Sequence, residues 1–289
     1  MELSKAIELN NQGAKSFLEG KLNEAEKSFK DAFQLDPKNS SLLNNMGLLY
    51  HQKKNFETAL NYFKKAIKIE DKASYLINEG NTLAMMGKVE EAKQKYLDTT
   101  QKHPDSMGAW ISLARLSTHQ KDYDLAKNYW NKVIAIEARP EYLLEYAKVL
   151  ILQNQLEDAL EILYSVSEKS QNPEIWFQIG RVEHLQKNYG IAEKALKKAL
   201  AEVPDQLDFR HYLAINYMAM SEIEQALYHL DFLLKLYPDH KQILTEKGVV
   251  MFSINQLEMA AQLFEKALKI DPSYQKAQHY SQLIKKQLN

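Results

Sequence analysis

The sequence predicts an all-α protein, an α-solenoid made of repeated pairs of helices, and two observations support that prediction. Gly or Ala recurs along the chain at intervals of 33 or 34 residues, and a second Ala follows each of these residues twelve positions later. Large apolar residues lie three positions before and four positions after that second Ala, a spacing that places them on one face of an α-helix. A period of this length is typical of helical repeat arrays.

The first small residue marks the first helix of each pair. It is Gly or Ala in every repeat, at Gly13, Gly47, Gly80, Ala114, Ala147, Gly180, Ala214 and Gly248. A side chain of one carbon or none allows the backbones of two crossing helices to approach closely. We therefore expect these residues to be buried where the first helix of a pair crosses the second.

The second helix of each pair carries the recurring Ala, at Ala25, Ala59, Ala92, Ala126, Ala159, Ala192, Ala226 and Ala260. The apolar residues three positions before it are Leu22, Phe56, Val89, Tyr123, Leu156, Tyr189, Ile223 and Leu257. Those four positions after it are Phe29, Phe63, Tyr96, Trp130, Leu163, Leu196, Leu230 and Phe264. These positions define the apolar face of an amphipathic helix. Pro ends five of the repeats, at Pro37, Pro104, Pro204, Pro238 and Pro272.

This combination resembles the tetratricopeptide repeat, whose pattern is W-x2-L-G-x2-Y, then A-x3-F, then P, on a 34-residue period. Trp110 and Trp176 stand at the leading Trp of that pattern, and Tyr50 and Tyr217 stand at its Tyr. The resemblance covers residues 6–274. It implies a right-handed α-solenoid of helix–turn–helix repeats.

We expect a single array of eight repeats followed by a capping helix. The repeats are predicted to span residues 6–39, 40–72, 73–106, 107–139, 140–172, 173–206, 207–240 and 241–274. One repeat cannot bury its apolar face alone, so neighbouring repeats stack and the terminal repeat needs a polar cover. Residues 275–289 lack the second half of the pattern, and we expect them to form that capping helix.

The composition narrows the class of protein and the class of partner. The chain has 289 residues, a formal net charge of −1 and no cysteine. This balance argues against a nucleic-acid partner, because binding through counterion release needs a basic excess. The absence of cysteine excludes disulfides and thiolate metal sites and fits a reducing compartment. The sequence shows neither a signal peptide nor the roughly 20 apolar residues of a membrane span, so we expect a cytoplasmic protein without membrane insertion.

Catalysis and cofactor binding are not expected. The eight histidines are scattered, and none is paired with another His or a carboxylate at the i, i+4 spacing of metal ligands. The sequence lacks the G-x-S-x-G nucleophile turn, the phosphate-binding G-x-x-x-x-G-K-S/T loop and the H-E-x-x-H zinc motif. Because the repeats leave no length for a catalytic domain, we predict a protein that is not an enzyme and has no cofactor or metal site.

The resemblance implies that the first helix of each pair lines a concave groove, and one row of these side chains is rich in Asn. Asn11, Asn45 and Asn78 lie two positions before successive small residues, and Asn81 follows the third small residue. They resemble the asparagine ladder of peptide-binding members of the family. An amide offers both a donor and an acceptor, so it can pair with a peptide backbone of any sequence. The alternative is that these side chains only solvate an exposed face.

Two further groups complete the candidate binding surface. Arg115, Lys148 and Arg181 form a basic run suited to an acidic peptide or a C-terminal carboxylate. Carboxylates such as Glu145 and Glu174 lie on the same helix faces, and this leaves open a row of ion pairs between neighbouring repeats. The apolar residues expected to line the groove towards the C-terminus are Ile215, Met218, Val249 and Phe252. An exposed apolar surface of this kind marks a partner site unless packing between repeats hides it.

These features predict a non-catalytic scaffold or adaptor that binds a peptide segment of a protein partner in its groove. The members of the family that grip chaperone tails need a Lys three positions before the small residue. No repeat has one, so that partner class is not expected. Two alternatives stay open: a self-assembling structural scaffold that forms homo-oligomers, and an RNA-binding helical repeat, which the net charge disfavours.

Overall fold

The computed structural model describes residues 2–288, and within that range the chain forms seventeen α-helices and no strand. In chain order they are α1 (Glu2–Leu18), α2 (Leu22–Leu35), α3 (Ser40–Gln52), α4 (Phe56–Ile69), α5 (Ala73–Met85), α6 (Val89–Lys102), α7 (Met107–His119), α8 (Tyr123–Ile136), α9 (Pro140–Leu152), α10 (Leu156–Ser167), α11 (Pro173–Leu185), α12 (Tyr189–Glu202), α13 (Leu207–Ala219), α14 (Ile223–Leu236), α15 (Lys241–Ser253), α16 (Leu257–Ile270) and α17 (Gln275–Leu288). The predicted all-α class is confirmed.

The chain divides into two compact units, a N-terminal unit that ends at Val149 and a C-terminal unit that begins at Leu150. In each unit the first helix of a pair packs against the second, as α1 does against α2 and α11 does against α12. Helices α1 to α8 lie in the N-terminal unit, and α10 to α17 lie in the C-terminal unit. The grouping of all repeats into one eight-repeat array stays a prediction.

The recurring small residues lie where the helices of a pair meet. A Cβ built on Gly47 would lie 2.6 Å from Cδ1 of Phe63, and one built on Gly13 would lie 2.6 Å from Cδ1 of Phe29. No real Cβ approaches carbon so closely, so Gly makes room for the ring of the second helix. The recurring Ala of the second helix is fully buried in all eight repeats. The packing role predicted for both sets of small residues is therefore confirmed.

The turn between the two helices of a pair has one residue in the left-handed region of the backbone. In the described residues, φ of this residue lies between 58° and 77° in each of the eight turns. The eight residues are Gly20, Lys54, Gly87, Lys121, Asn154, Lys187, Ser221 and Asn255. The conformation is strained for a residue with a Cβ, yet only two of the eight positions carry Gly. Asn55 follows one of these residues and caps α4, because its side chain accepts a hydrogen bond from the N–H of Thr58.

The last helix packs on its neighbour through one face. Ala277 and Ile284 of α17 are buried in a cluster with Phe264 of α16. The opposite face of α17 carries exposed charged and polar residues such as Lys276 and His279. This is the arrangement that a helix covering a terminal repeat requires. In the described part of the chain, no helix combines the length and the apolar character needed to cross a membrane.

Candidate functional site

Consecutive first helices of the N-terminal unit are joined by two pairs of Asn side chains. The Nδ2 of Asn45 donates to the Oδ1 of Asn10 over 3.0 Å, and the Nδ2 of Asn78 donates to the Oδ1 of Asn44 over 2.9 Å. The two acceptors, Asn10 and Asn44, lie three positions before the small residue and are each 8% exposed. The structure therefore places Asn45 and Asn78 in linked amide pairs instead of leaving both amides free.

Part of the hydrogen-bonding capacity of these amides is left over. Asn45 and Asn78 are half-buried, and the side-chain oxygen of each accepts no hydrogen bond from any described residue. Asn11 is exposed and has no hydrogen-bond partner within residues 2–288, whereas Asn81 accepts a hydrogen bond of 2.7 Å from the hydroxyl of Tyr96. Two oriented oxygens and one free amide are therefore available on this face.

His51 lies on the same face, four positions after the small residue of α3. Thr82 donates its hydroxyl to the backbone oxygen of Asn78 over 2.8 Å, so its own oxygen accepts the proton on Nδ1 of His51 over 2.9 Å. Burial lowers the pKa of His51, which favours the neutral ring. The neutral ring with its proton on Nδ1 leaves Nε2 as an acceptor.

The C-terminal unit contains the same arrangement. The Nδ2 of Asn216 donates to the backbone oxygen of Tyr189 over 2.9 Å, so its Oδ1 accepts the proton on Nδ1 of His184 over 2.9 Å. The His184 and Tyr189 rings lie 5.3 Å apart. In the sequence alone, both histidines are members of a scattered set of eight. Their positions in the repeat distinguish them from the other histidines. Each lies four positions after the small residue and five positions before the first residue of the next helix.

The three basic residues of the predicted run have different surroundings. Arg115 is exposed and makes no ion pair with any described residue. Lys148 forms an ion pair of 3.1 Å with Glu145 of the same helix, whereas the alternative interpretation expected ion pairs between neighbouring repeats. The guanidinium of Arg181 lies 5.7 Å from the ring centre of Phe177. The basic residues therefore do not form a uniform row.

Arg181 is held in a defined orientation. Its guanidinium lies 5.1 Å from the ring centre of Tyr212, and its Nη1 donates to the Oε1 of Gln178 over 3.0 Å. The Nε of Arg181 is buried without a hydrogen-bond partner among the described residues. Stacking on aromatic rings suits the planar guanidinium and leaves its edge available for an anion. Among the three basic residues of the candidate surface, Arg181 is therefore the one whose orientation is most fully fixed by its neighbours.

The C-terminal unit also buries a polar pair between consecutive first helices. The Nε2 of His211 is hydrogen-bonded to the Oε2 of Glu246, and the two residues are 5% and 3% exposed. The Nε2 of Gln242 donates to the other carboxylate oxygen over 3.3 Å. These positions correspond to those of Asn44 and Asn78 in their repeats. The same contact is therefore made by amides in one unit and by ionisable groups in the other.

The predicted apolar residues of the C-terminal unit are partly used by packing. All four are half-buried: Ile215, Met218, Val249 and Phe252. Met218 packs against the core around Phe209, and Phe252 makes an edge-to-face contact of 5.6 Å with Tyr280 of α17. Their remaining exposed area forms an apolar part of the first-helix face. No group of three or more His, Asp or Glu side chains within residues 2–288 is arranged to hold a metal ion.

The repeated helix pairs, with partly unsatisfied polar groups on their first helices, define an α-helical repeat protein of the protein-interaction scaffold class. The chain belongs to the tetratricopeptide repeat family. Family models with that description match residues 40–72, 77–140, 173–204 and 213–274. The resemblance drawn from the Gly, Ala and Trp positions is thereby confirmed.

Similar proteins include a curated human protein and several solved structures. The chain is 27% identical over 209 residues to Protein O-mannosyl-transferase TMTC3 of Homo sapiens, a match that covers 69% of this chain and 23% of that protein. The chain therefore spans about a quarter of the length of this curated relative.

Two solved structures share the fold. The first is the APC/C hetero-tetramer Cut9-Hcn1, with a TM-score of 0.65, 16% identity and coverage of 91% of this chain and 52% of that chain. The second is pilF of Pseudomonas aeruginosa, with a TM-score of 0.62, 19% identity and coverage of 74% of this chain and 99% of that chain. At these identities the likeness concerns the fold alone.

Proposed function

We propose that the chain is a non-catalytic scaffold that binds an extended peptide segment of a partner protein on its first-helix faces. The observation that carries this proposal is the pair of Asn side chains, Asn45 and Asn78, each fixed by a neighbouring Asn and each with an unused oxygen. An acceptor that is already oriented loses little side-chain entropy when a ligand binds. Oxygens in this state suit the backbone N–H groups of an extended peptide.

The N-terminal unit supplies further contacts for such a peptide. Asn11 offers a free amide, and the Nε2 of His51 offers another acceptor on the same face. Backbone N–H groups are common to all peptides, so these contacts contribute affinity without selecting a sequence. The exposed Arg115 adds a preference for acidic side chains. We infer that Asn81, which already accepts from Tyr96, contributes less than Asn45 and Asn78.

The first-helix face of the C-terminal unit has a different preference. Arg181, held against Phe177 and Tyr212, is suited to a carboxylate of the peptide. The half-buried Met218 and Phe252 suit apolar side chains of a peptide bound to this unit. This unit therefore selects peptide sequence, because its contacts are made to side chains.

The proposal assigns no reaction to the chain. The relative named as a mannosyl-transferase is matched over 23% of its length, and the matched part of this chain consists of repeat helices. We propose that this chain does not share the transferase activity that the name of that relative states. Incubating the purified chain with an activated mannose donor and an acceptor peptide, and assaying transfer, tests this proposal.

The binding proposal is tested with peptides selected from an unbiased display library. We expect the double variant Asn45→Ala with Asn78→Ala to bind every selected peptide about tenfold or more weakly, since each lost hydrogen bond contributes about 0.5–1.5 kcal/mol. Asn61→Ala with Asn131→Ala is the matched control, because both residues are exposed on second helices. Fluorescence anisotropy measures the affinities.

N-methylation of single peptide amides sharpens the test. If the two oxygens accept backbone N–H groups, at least one methylated amide should weaken binding to the wild type and have no further effect on the double variant. Equal affinities for the wild type and the double variant would reject the ladder and leave these side chains as part of the packing. Sedimentation without peptide separates this function from self-assembly.

A further inference from the structure

Arg210 of α13 is a buried cation without an acidic partner. Arg210 is 8% exposed, and its side chain forms no ion pair with any carboxylate in residues 2–288. Its Nη2 donates to the backbone oxygen of Pro204 over 2.7 Å, and its Nη1 donates to the Nδ1 of His229 over 3.3 Å. Its Nε has no partner among the described residues. A buried charge is costly unless an opposite charge compensates it.

The packing of this position does not require a charge. Arg210 lies four positions before the small residue, and the equivalent residues of the other repeats are all apolar: Leu9, Leu43, Leu76, Trp110, Leu143, Trp176 and Leu244. Trp110 makes the equivalent hydrogen bond, from its Nε1 to the backbone oxygen of Pro104 over 3.0 Å. A neutral side chain can therefore occupy this position and donate the hydrogen bond to the proline carbonyl. The packing of the helices does not account for the charge of Arg210.

The guanidinium lines an open cleft of about 360 Å³ built by α12, α13 and α14. The apolar part of the lining comes from Leu200, Pro204 and Leu213, and the polar part includes Lys197 and His229. The underside of the guanidinium is covered by the ring of Phe232, at 3.7 Å from its centre. The cleft therefore has a cationic end beside an apolar wall.

The nearby carboxylate is already used by other groups. Glu193 accepts from Lys197 over 2.6 Å and from the hydroxyl of Tyr217 over 2.9 Å. It neutralises the charge of Lys197 and leaves that of Arg210 uncompensated. Burial, and then the positive charges of Arg210 and Lys197, lower the pKa of His229 to about 4. This ring is neutral at pH 7, and its proton lies on Nε2 because Arg210 donates to Nδ1.

We propose that this cleft is a binding site for a carboxylate carried on a short apolar stem, such as an acidic side chain or the end of a peptide chain. The guanidinium of Arg210 supplies the opposite charge, and Leu200 and Leu213 contact the stem. Charge-assisted hydrogen bonds from Arg to a carboxylate are about twice as strong as neutral ones. The site is distinct from the peptide-binding residues of the first-helix faces.

The test uses hexanoate as the probe, because it carries a carboxylate on an apolar stem. His229 reports binding, since an anion beside it stabilises the imidazolium and raises its pKa. NMR of ¹³C-labelled histidine follows the Cε1–H signal of His229, assigned by its loss in His229→Gln. We expect saturable binding of hexanoate at low salt and a higher His229 pKa when the site is filled. Hexanamide, which has the same stem without the charge, should leave the signal unchanged.

Variants separate the site from unspecific effects. Arg210→Trp, which places the residue of repeats four and six at this position, should weaken hexanoate binding about tenfold or more. Arg139→Gln removes a positive charge from an exposed residue outside the cleft and should bind hexanoate like the wild type. Circular dichroism checks that Arg210→Trp is folded. If it is not, Lys197→Gln, at the exposed rim of the cleft, replaces it and should weaken binding about twofold or more.

Several outcomes would overturn the proposal. Hexanoate that leaves the His229 signal and pKa unchanged would show that the cleft takes no carboxylate. Equal binding of hexanamide would show that the charge of Arg210 plays no part. Inorganic phosphate is tested as the other source of oxyanion, and binding tighter than that of hexanoate would reject the apolar stem as part of the ligand.

Discussion

In the N-terminal unit, the contact between the first helices of neighbouring repeats is made by Asn44 with Asn78. In the C-terminal unit, the equivalent positions hold His211 and Glu246. In each contact, the first residue lies three positions before the small residue of its repeat. The second residue lies two positions before the small residue of the following repeat. Both therefore fix the register of neighbouring helices, although the chemical groups differ.

The two units differ in which polar groups of this contact remain without a hydrogen-bond partner. The oxygen of Asn78 is left without a described partner on a half-buried side chain, so it can serve a ligand. Glu246 is 3% exposed, and its two carboxylate oxygens accept from His211 and Gln242. These groups stabilise the unit and are not available to a ligand. The proposed binding surface of the C-terminal unit therefore relies on Arg181 and apolar side chains.

The largest expected effect comes from breaking the buried pair of the C-terminal unit. Glu246→Ala should destabilise that unit by about 3 kcal/mol, because it leaves the buried ring N–H of His211 without its carboxylate acceptor. Asn78→Ala in the N-terminal unit should cost only about 0.5–1.5 kcal/mol. Native-state amide exchange of α5 and α15, combined with thermal unfolding, measures the two losses separately.

A transplanted pair provides the control for this prediction. The double variant His211→Asn with Glu246→Asn copies the amide pair of the N-terminal unit and should recover most of the stability that Glu246→Ala loses. If Glu246→Ala is no more damaging than Asn78→Ala, the two contacts are equivalent in energy and the comparison fails.

A smaller effect is expected where the helices of a pair cross. A Cβ on Gly47 would meet the rigid ring of Phe63, so Gly47→Ala should cost about 1–3 kcal/mol by overpacking. In the C-terminal unit, a Cβ on Gly180 would meet Leu196 instead, and would lie 3.2 Å from the backbone oxygen of Ala192. Because a leucine can change rotamer, Gly180→Ala should cost less. Urea unfolding monitored by circular dichroism measures both variants.

The partner residue can be exchanged to check the cause. Ala214 packs in the same cluster as Leu230, which shows that Ala and Leu are compatible at this crossing. Adding Phe63→Leu to Gly47→Ala should therefore restore part of the lost stability. A double variant less stable than Gly47→Ala would mean that the ring of Phe63 does not cause the loss.

The smallest effect is expected in the turns, where the left-handed backbone conformation is the same in both units. Lys54 and Lys187 have φ of 58° and 65°, and Gly adopts this conformation without the Cβ clash. Lys54→Gly and Lys187→Gly should each stabilise their unit, by up to about 1 kcal/mol. Gly87→Ala, at the equivalent turn, is the reverse control and should destabilise. A rise in melting temperature for only one of the two Lys variants would show that the turns differ after all.

The amino-acid sequence is sufficient to predict the fold, because the residues that pack within one repeat are close together in the chain. Gly47 and Phe63 are sixteen residues apart, and the same spacing recurs eight times with a small residue facing a large one. Helix periodicity therefore predicted both the helix pairs and the residues between them. The family matches confirm that assignment.

Which polar groups already have a hydrogen-bond partner follows from the three-dimensional structure and not from the sequence. The sequence placed Asn45 and Asn78 on one face, but not their hydrogen bonds to Asn10 and Asn44, whose side chains belong to neighbouring repeats. The turns were also hidden, since Lys at a left-handed position leaves no signal of the kind that Gly does. Whether an amide faces a ligand or a neighbour depends on atoms about 34 residues away in the chain. The spacing of residues within one helix does not show which side chains of the neighbouring repeat they contact.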